Sequence, residues 1–221
     1  MNENSESLTS GAAGLRKEYR RSTLLEAQVS ENPFAQFTKW LDEAVKSQIV
    51  EPNAMVLSTA SPHGAPSSRV VLLKEWTEKG FVFYSNYKSQ KAKQLKVNPA
   101  ASLLFYWPDL ERQIRIEGAI TKVSRVESEK YFIRRPRNAQ LGAYASEQSA
   151  VLPERSLLEK QYKEFESRFH GQEVPCPSHW GGYLLIPKLY EFWQGRENRL
   201  HDRILYTKES KKNWELSRLS P

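Results

Sequence analysis

From about residue 53 onward, apolar and polar residues alternate in short runs, among them "AMVLSTAS", "SSRVVLLKEW", "FVFYSN", "ASLLFYW" and "RQIRIEGAITKVS". Alternation with a period of two indicates strands that bury one face. Turn sequences such as "PHGAP" and "TEKG" join successive runs as hairpins. Repeated hairpins with a few inserted helices predict a mainly β chain with peripheral helices (α+β), folded as a closed antiparallel barrel.

Four segments have helical patterns: "NPFAQFTKWLDEAVKSQ", "SQKAKQLKVN", "SRVESEKYFIRR" and "PERSLLEKQYKEFESRF". Asn32 is placed to cap the first helix and Pro33 to occupy its first turn. Ser124 and Glu127 form a capping box at the start of the third. The apolar spacing predicts core-facing side chains in the first and last helices at Phe34, Phe37, Leu41, Val45, Leu158, Tyr162, Phe165 and Phe169.

The chain divides into a tail, an arm and one domain. Residues 1–14 are polar and rich in Gly and Ser, which predicts a disordered N-terminal tail. Residues 15–30 predict an arm that orders on binding, and residues 31–221 a single domain without internal repeats. We expect a cytoplasmic protein, because the single cysteine, Cys176, can form no internal disulfide and no apolar run is long enough to span a membrane.

The distribution of basic residues bears on the ligand. The 221 residues carry a net charge of +7, and hydrophobic residues at 39% are sufficient for a packed core. The basic side chains occur singly within apolar runs, as in "RVVLLK" and "RLHDR", rather than in one block. A solvated basic surface is one interpretation. A pocket for an anionic ligand fits the spacing better than a nucleic-acid interface, where clustering is expected.

The stretch "EFWQGRENRLHDRILY" places Arg199, His201 and Arg203 at every second position. On a regular strand the three side chains share one face at a spacing of about 7 Å, and they repel one another unless an anion or water neutralises them. A solvated edge strand would carry the same pattern. The neighbouring Trp193 favours a partly dry site in which His201 exchanges a proton near neutral pH.

Two further segments place cations near strand and helix ends. Arg69 and Lys74 lie five residues apart, so they reach one ligand only near a strand end or a bulge. Ser89 and Lys91 begin a helix, where free N–H groups favour phosphate. Solvated bases and an ordinary helix cap are the alternatives.

A third segment, "YFIRRPR", has Tyr131 and Arg135 four residues apart, hence on one helix face, where they suit a phosphate or form a plain surface pair. A phosphate monoester carries a charge of about −1.5 to −2. Arg69, Lys74, Lys91 and Arg135 therefore fit two phosphorylated ligands better than one. We predict no metal site, since the four histidines lack ligand spacing.

Several motifs, in this order, carry a resemblance to a known family: "SSRVVLLK", "FYSNYKSQKA", "LERQIRIEG", "YFIRRPR", "QLGAYASEQS", "PSHWGG" and "EFWQGRENRLHDR" with the final "RLSP". Over residues 15–221 the chain resembles the pyridoxamine/pyridoxine 5′-phosphate oxidases. The resemblance implies an FMN-binding split β-barrel and a homodimer with two flavin sites at its interface. It also implies oxidation of pyridoxamine or pyridoxine 5′-phosphate to pyridoxal 5′-phosphate, with dioxygen as electron acceptor and hydrogen peroxide as product.

The resemblance also assigns roles by position, with Arg199 and His201 as the catalytic residues. It places FMN against Arg69, Val70, Val71, Leu72, Leu73, Lys74, Tyr84, Ser85, Gln90, Lys91, Gln113, Gln148, Ser149, Trp193 and Arg203. It places substrate against Arg16, Lys17, Glu18, Tyr19, Lys74, Tyr131, Arg135, Ala139, Arg199, Leu200 and His201. Trp193 and Arg203 are expected to reach the flavin of the other subunit, and the arm residues to close over the substrate.

Two positions depart from the family pattern. Gln90 stands where the family usually has arginine, which weakens one phosphate contact by about 1 kcal/mol. Ala139 stands where the family usually has serine, which removes a hydroxyl donor to the substrate phosphate. Three alternatives remain: a flavin oxidase of the phenazine type on the same barrel, a pyridoxal phosphate carrier without turnover, and a nucleic-acid-binding module.

Overall fold

The computed structural model describes residue 15, residues 18–210 and residues 213–221. Five α-helices lie in these residues: α1 (Pro33–Lys46), α2 (Gln90–Val97), α3 (Arg125–Ile133), α4 (Arg137–Ala145) and α5 (Arg155–Arg168). Nine strands accompany them: β1 (Ala54–Ala60), β2 (Pro66–Leu72), β3 (Glu75–Thr77), β4 (Gly80–Asn86), β5 (Ala100–Trp107), β6 (Arg112–Lys122), β7 (Trp180–Gln194), β8 (Asp202–Lys208) and β9 (Trp214–Leu219). The predicted tail, residues 1–14, lies outside the described residues.

All strand pairs are antiparallel, in the order β2-β1-β5-β6-β7-β4-β3, with β8 added to β7 and β9 to β8. The sheet curves so that β2, at one end of this order, approaches β4 near the other end. The Lys74 N–H, just beyond β2, donates to the Val82 carbonyl of β4 at 2.9 Å. The predicted mainly β class with peripheral helices is confirmed. The run "SSRVVLLKEW", expected as one strand, is divided between β2 and β3.

Strand β7 is the longest and has neighbours on both edges. Its first half pairs with β4, its second half pairs with β8, and β6 runs along the opposite edge. The register shifts between Glu117 and Gly118, so Lys188 of β7 is left unpaired in a bulge. A Cβ on Gly118 would lie 2.1 Å from the Ile186 carbonyl oxygen, so this close approach requires glycine.

Helix α1 closes one side of the sheet. Asn32 caps it by accepting from the Phe34 N–H, with Pro33 in the first turn as predicted. The Phe37 ring packs edge-on against Phe81 at 4.8 Å between ring centres. Val45, predicted to face the core, is 56% exposed. That prediction was wrong because the buried stripe instead follows Phe37, Trp40, Leu41 and Ala44.

A second apolar cluster is formed by α3, α4, α5 and the loop before β7. Its buried members are Phe132, Leu141, Phe169, Val174 and Trp180. The capping box of Ser124 and Glu127 is present at the start of α3, as predicted. Helix α4 was not predicted, and α5 turns Tyr162, Phe165 and Phe169 towards this cluster.

The described part of the N-terminal arm is bound to β8 and β9 through Asp202. This carboxylate accepts from the Leu24 N–H at 3.0 Å, from Arg196 at 2.7 Å and from Arg218 at 2.9 Å. Burial favours the neutral acid, but these three donors outweigh it and hold the pKa of Asp202 below its ordinary value. Hydrogen bonds from Arg218 lower the pKa of Glu26, also on the arm, to about 2. Both acids therefore stay ionised, and the arm stays bound, until the pH falls below their ordinary range.

Among the residues that the structure describes, no helix combines the length and the apolar character that a membrane crossing requires.

We expect Asp202→Asn to loosen the arm without unfolding the sheet, because an amide cannot match the charge that Arg196 and Arg218 face. Hydrogen exchange measures this directly: the Leu24 amide should exchange at least tenfold faster, while amides of β6 keep their rates. Asp42→Asn, at an exposed position of α1, is the matched control and should change neither. Unchanged protection at Leu24 would contradict this role of Asp202.

Candidate active site

A cavity of about 700 Å³ opens between β2, β4, the start of α2 and the α3–α4 segment. We call it the cationic cavity. Its lining residues are Arg69, Val70, Val71, Leu72, Lys74, Tyr84, Ser85, Asn86, Lys91, Tyr131, Arg135, Ala139, Gly142, Ala143, Ser146, Gln148, Ser149 and Trp180. Four stretches far apart in the sequence therefore meet at one place.

Lys91 lies where β4 gives way to α2. Ser89 caps the helix, and the Lys91 ammonium donates to Gln148 Oε1 at 2.9 Å and to Ser85 Oγ at 3.1 Å. All of its hydrogen-bond acceptors are uncharged. Burial, followed by the charge of Arg69, lowers the pKa of Lys91. Within the part of the chain that the structure describes, this buried ammonium therefore has no carboxylate counterion.

Arg69 lies on β2 beside Lys91. Its Nη1 donates to Thr59 Oγ1 at 2.6 Å and to the Leu57 carbonyl at 3.2 Å, and burial lowers its pKa. Lys74 is exposed and follows the end of β2. Both cations line the cationic cavity because the strand ends between them, which is one of the arrangements that their spacing left open.

Arg135 lies at the other side of the cavity, just past the end of α3. Its guanidinium stacks 4.6 Å from the Trp180 ring centre, and its Nη1 is buried with no hydrogen-bond partner among the described residues. Tyr131 and Tyr84 stack in parallel at 3.9 Å beside it, and burial raises the pKa of Tyr84 to about 12. An unsatisfied buried donor costs about 1–3 kcal/mol, which an anion in the cavity would recover.

Other arginines of the sheet and the arm contact contrast with these three cations. Within the described residues, carboxylates pair with Arg112, Arg115, Arg196, Arg203 and Arg218. No carboxylate pairs with Arg69, Lys91 or Arg135. Uncompensated positive charge is thus concentrated in the cationic cavity, and its chemistry fits phosphate groups.

A second group of predicted residues gathers at the far end of β7. The His201 ring lies 4.6 Å from Trp193, and Tyr19 of the arm packs edge-on against both rings at 5.7 Å. The Arg199 guanidinium lies 5.8 Å from the Tyr19 ring centre. Burial and then the charge of Arg199 lower the pKa of His201 from its ordinary value, which favours the neutral imidazole.

The expected strand carrying Arg199, His201 and Arg203 on one face was wrong in part. Strand β8 begins at Asp202, and the preceding residues form a turn in which Asn198 and Arg199 have φ of 54° and 63°. These left-handed conformations break the extended alternation. Arg203 is on the strand, where Glu191 accepts from its Nε at 2.7 Å and the Ser220 carbonyl accepts from Nη1 at 2.8 Å.

Several predicted residues lie outside the cationic cavity of this chain. Leu73 is buried in the main core, and Gln90 is exposed at the first position of α2. Gln113 stands opposite Trp193 in the β6–β7 register. Glu18 and Leu200 are exposed, and the predicted substrate residues Arg16 and Lys17 lie outside the described residues.

The structure also adds residues that sequence reasoning did not assign. Trp180, Asn86 and Ser146 line the cavity. The pair Gly181–Gly182 after Trp180 was an available signal, because a Cβ on Gly182 would lie 2.8 Å from the Tyr84 ring. Such a close approach marks a strand against which an aromatic wall is packed.

Comparison with known proteins identifies the family. Residues 41–169 match the family model described as pyridoxamine 5′-phosphate oxidase, and residues 180–221 match the pyridoxine 5′-phosphate oxidase C-terminal dimerisation region. The chain belongs to the pyridoxamine 5′-phosphate oxidase family.

Similar members of this family come from several bacteria. Pyridoxine/pyridoxamine 5′-phosphate oxidase of Trichormus variabilis is 51% identical over 209 residues, which cover 95% of this chain and 98% of the relative. The enzyme of the same name from Burkholderia mallei (strain SAVP1) is 52% identical over 211 residues, covering 95% and 98%. Membership of this family indicates an oxidoreductase.

Solved structures confirm the split-barrel fold. PhzG from Burkholderia lata, in complex with tetrahydrophenazine-1-carboxylic acid, superposes with a TM-score of 0.84 at 29% identity, covering 90% of this chain and 98% of that one. A pyridoxamine 5′-phosphate oxidase-related, FMN binding protein from Nostoc punctiforme has a TM-score of 0.69 at 19% identity, covering 87% and 100%.

We expect Arg135→Met to stabilise the ligand-free protein by about 1 kcal/mol, since it removes a buried unpaired donor and keeps an apolar contact with Trp180. The same change should reduce the stabilisation that added phosphate gives. Thermal melts with and without phosphate measure both effects. Arg134→Met, at the exposed neighbour, is the control and should leave both values as in the parent. A ligand-free protein that melts lower would contradict the expectation.

We expect Arg199→Met to raise the pKa of His201 towards its ordinary 6.5, because a neighbouring positive charge is removed. Titration of the imidazole by NMR in the ligand-free protein is the measurement. Arg199→Lys keeps the charge and should leave the pKa low. Equal values in the two variants would show that Arg199 does not act on His201 through its charge.

Proposed function

We propose that the protein oxidises pyridoxamine 5′-phosphate and pyridoxine 5′-phosphate to pyridoxal 5′-phosphate, with FMN as cofactor and dioxygen as electron acceptor. The observation that carries the proposal is a set of three cations in one aromatic-walled cavity, Arg69, Lys91 and Arg135, that no described carboxylate neutralises. The names of relatives that are 51–52% identical over 95% of the chain point to the same substrates.

We propose that the cationic cavity binds two phosphorylated ligands. Arg69 and Lys91 lie beside each other at the start of α2, and we assign them to the FMN phosphate. Tyr131 and Arg135 lie at the α3 side, and with Lys74 they would hold the substrate phosphate. The remaining proposed flavin contacts within the cavity are Val70, Val71, Leu72, Tyr84, Ser85, Gln148 and Ser149.

A second copy of the chain would complete each site. Trp180 and Trp193 are at opposite ends of the described strand β7, a path of about 40 Å along an extended chain. One chain therefore cannot easily place both rings on one ligand. Trp193, Arg199, His201 and Arg203 all lie within residues 180–221, which match the dimerisation region. We propose a homodimer in which these residues, with Gln113, meet the cavity of the other copy.

In this site the protein's contribution is mainly positioning. Bound FMN would supply the hydride acceptor, which dioxygen reoxidises with release of hydrogen peroxide. The Arg196 N–H donates to His201 Nδ1 at 3.2 Å, so the neutral ring carries its proton on Nε2 and presents a donor there. Arg199 would orient the substrate through its positive charge, and Tyr19 on the arm would limit the access of water to the same place.

The two departures from the family pattern affect binding and leave the reaction intact. Gln90 is exposed and lies outside the cavity lining. Compared with the arginine usual in the family, its neutral amide therefore lacks a charge only at the periphery of the site. Ala139 lines the cavity, and without a hydroxyl it leaves the substrate phosphate to Tyr131, Arg135 and Lys74. We further propose a cytoplasmic location, with which the single thiol of Cys176 agrees.

A phenazine-type flavin oxidase is the second candidate, because PhzG from Burkholderia lata is similar over 90% of the chain. The pairing of Tyr131 with Arg135 at the α3 end favours a phosphorylated substrate instead. Two measurements distinguish the functions. The purified protein should be yellow with a flavin absorbance spectrum, and it should release hydrogen peroxide with pyridoxine 5′-phosphate. A colourless protein that binds pyridoxal 5′-phosphate without turnover would be a carrier, and the proposal would be rejected.

We expect Arg199→Met to lower kcat/KM for pyridoxine 5′-phosphate at least a hundredfold with little change in thermal stability, because Arg199 is exposed and its guanidinium lies against Tyr19 of the arm. Steady-state peroxide assays and thermal melts give the two values. Arg155→Met, at an exposed position of α5, should leave both unchanged. An unaffected rate in Arg199→Met would remove its assigned role.

A further inference from the structure

Arg69 is hydrogen-bonded to Thr59, a residue outside the lining of the cationic cavity. Thr59 on β1 is 3% exposed, and its Oγ1 accepts from Arg69 Nη1 at 2.6 Å. The β1–β2 register pairs Thr59 with Ser67, two residues before Arg69. The hydroxyl thus contacts Arg69 across the strand pair.

The contact continues to helix α2. Because the Thr59 oxygen already accepts from Arg69, its single proton is directed to Gln94 Oε1 at 2.6 Å. Gln94 is 7% exposed, and its amide nitrogen donates to Ser67 Oγ at 3.2 Å. The donors therefore run in one direction, from Arg69 through Thr59 and Gln94 to Ser67. We call these contacts the neutral relay.

The neutral relay connects the two cations assigned to one phosphate. Gln94 is on α2, three residues after Lys91, so both side chains belong to the same helix face. Arg69 and Lys91 are close enough that the charge of Arg69 lowers the pKa of Lys91. Two like charges at this separation repel, and the relay holds one of them against the helix that carries the other.

The uncharged nature of the relay matters for binding. Glu191 accepts from the Nε of Arg203, and that carboxylate offsets part of the charge of the guanidinium. A hydroxyl and an amide fix the geometry of Arg69 equally well and leave its full charge available. A dianion between Arg69 and Lys91 then meets two uncancelled charges in a fixed geometry.

We propose that Thr59 and Gln94 are positioning residues that hold Arg69 beside Lys91 as a preformed clamp for one phosphate dianion. The identification of that phosphate as the one of FMN rests on the proposed function. Neither residue touches the ligand, so both act only through Arg69.

The test compares FMN with riboflavin, which has the same ring and no phosphate. Flavin fluorescence quenching gives dissociation constants for the parent protein, Thr59→Val and Thr59→Ser. We expect Thr59→Val to weaken FMN binding about tenfold and riboflavin binding by less than twofold, because only the phosphate contact is lost. Thr59→Ser restores the hydroxyl and should restore FMN binding. Thr121→Val, at an exposed position of β6, is the matched control and should change neither constant.

A second variant tests whether the neutral relay must be uncharged. Gln94→Glu keeps the acceptor for Thr59 but introduces a negative charge into the neutral relay that holds Arg69. We expect it to weaken FMN binding and leave riboflavin binding unchanged, with a melting temperature of the ligand-free protein no lower than that of the parent. FMN binding as tight as in the parent would overturn the argument that the relay must be neutral.

The outcomes separate this inference from the proposed function. A parent protein that binds FMN no better than riboflavin contradicts the proposed cofactor phosphate site itself. A parent that prefers FMN, with a preference unchanged in Thr59→Val, overturns the neutral relay alone. Equal loss of both flavins in Thr59→Val, without recovery in Thr59→Ser, indicates a structural role in β1 and also overturns it.

Discussion

The structure depends on its longest strand, β7, which pairs with three other strands. Strand β7 holds β6 on one side and β4 and β8 in succession on the other. Its first half places Trp180 in the wall of the cationic cavity, and its second half carries Trp193. The bulge at Lys188 is the only irregularity in the described β6–β7 register. Because both halves of β7 are extended, its two ends lie far apart. This separation is the geometric reason for proposing that two copies of the chain together form each site.

Charge is distributed unequally over this frame. Where arginines serve the fold, as Arg115 and Arg218 do, carboxylates neutralise them and the pairs connect strands or hold the arm. Where cations line the cavity, their partners are hydroxyls, amides and carbonyls, and Arg135 Nη1 has none among the described residues. Burying charge without a counterion is costly, so this arrangement is stable only because the surrounding packing is extensive.

Local features were predictable from the sequence, and long-range contacts were not. Hairpins and helix caps follow from neighbouring residues, so Asn32 and the turn before β4 were assigned correctly. The strand expected through Arg199 failed because Asn198 and Arg199 adopt left-handed φ without a glycine to signal it. Helix α4 was missed because "RNAQLGAYA" directly follows Pro136, has no side-chain cap and contains Gly142, all of which favour a loop in a sequence-based assignment. The cations of the cavity were found through motifs, but the contact of Thr59 with Arg69 depends on the register of β1 and β2, which no local pattern specifies.

Among the described residues, Arg135 Nη1 has no hydrogen-bond partner and Lys91 has no carboxylate partner, which affects how fast the protein is degraded in a cell. A chain that carries this repulsion opens more often when nothing negative lies between its cations, and opened chains are the ones that proteases degrade. The steady-state amount of protein would then rise and fall with the supply of the anion, without any regulator of its synthesis. The same cavity that selects the ligand would in this way also set how long an unfilled copy persists.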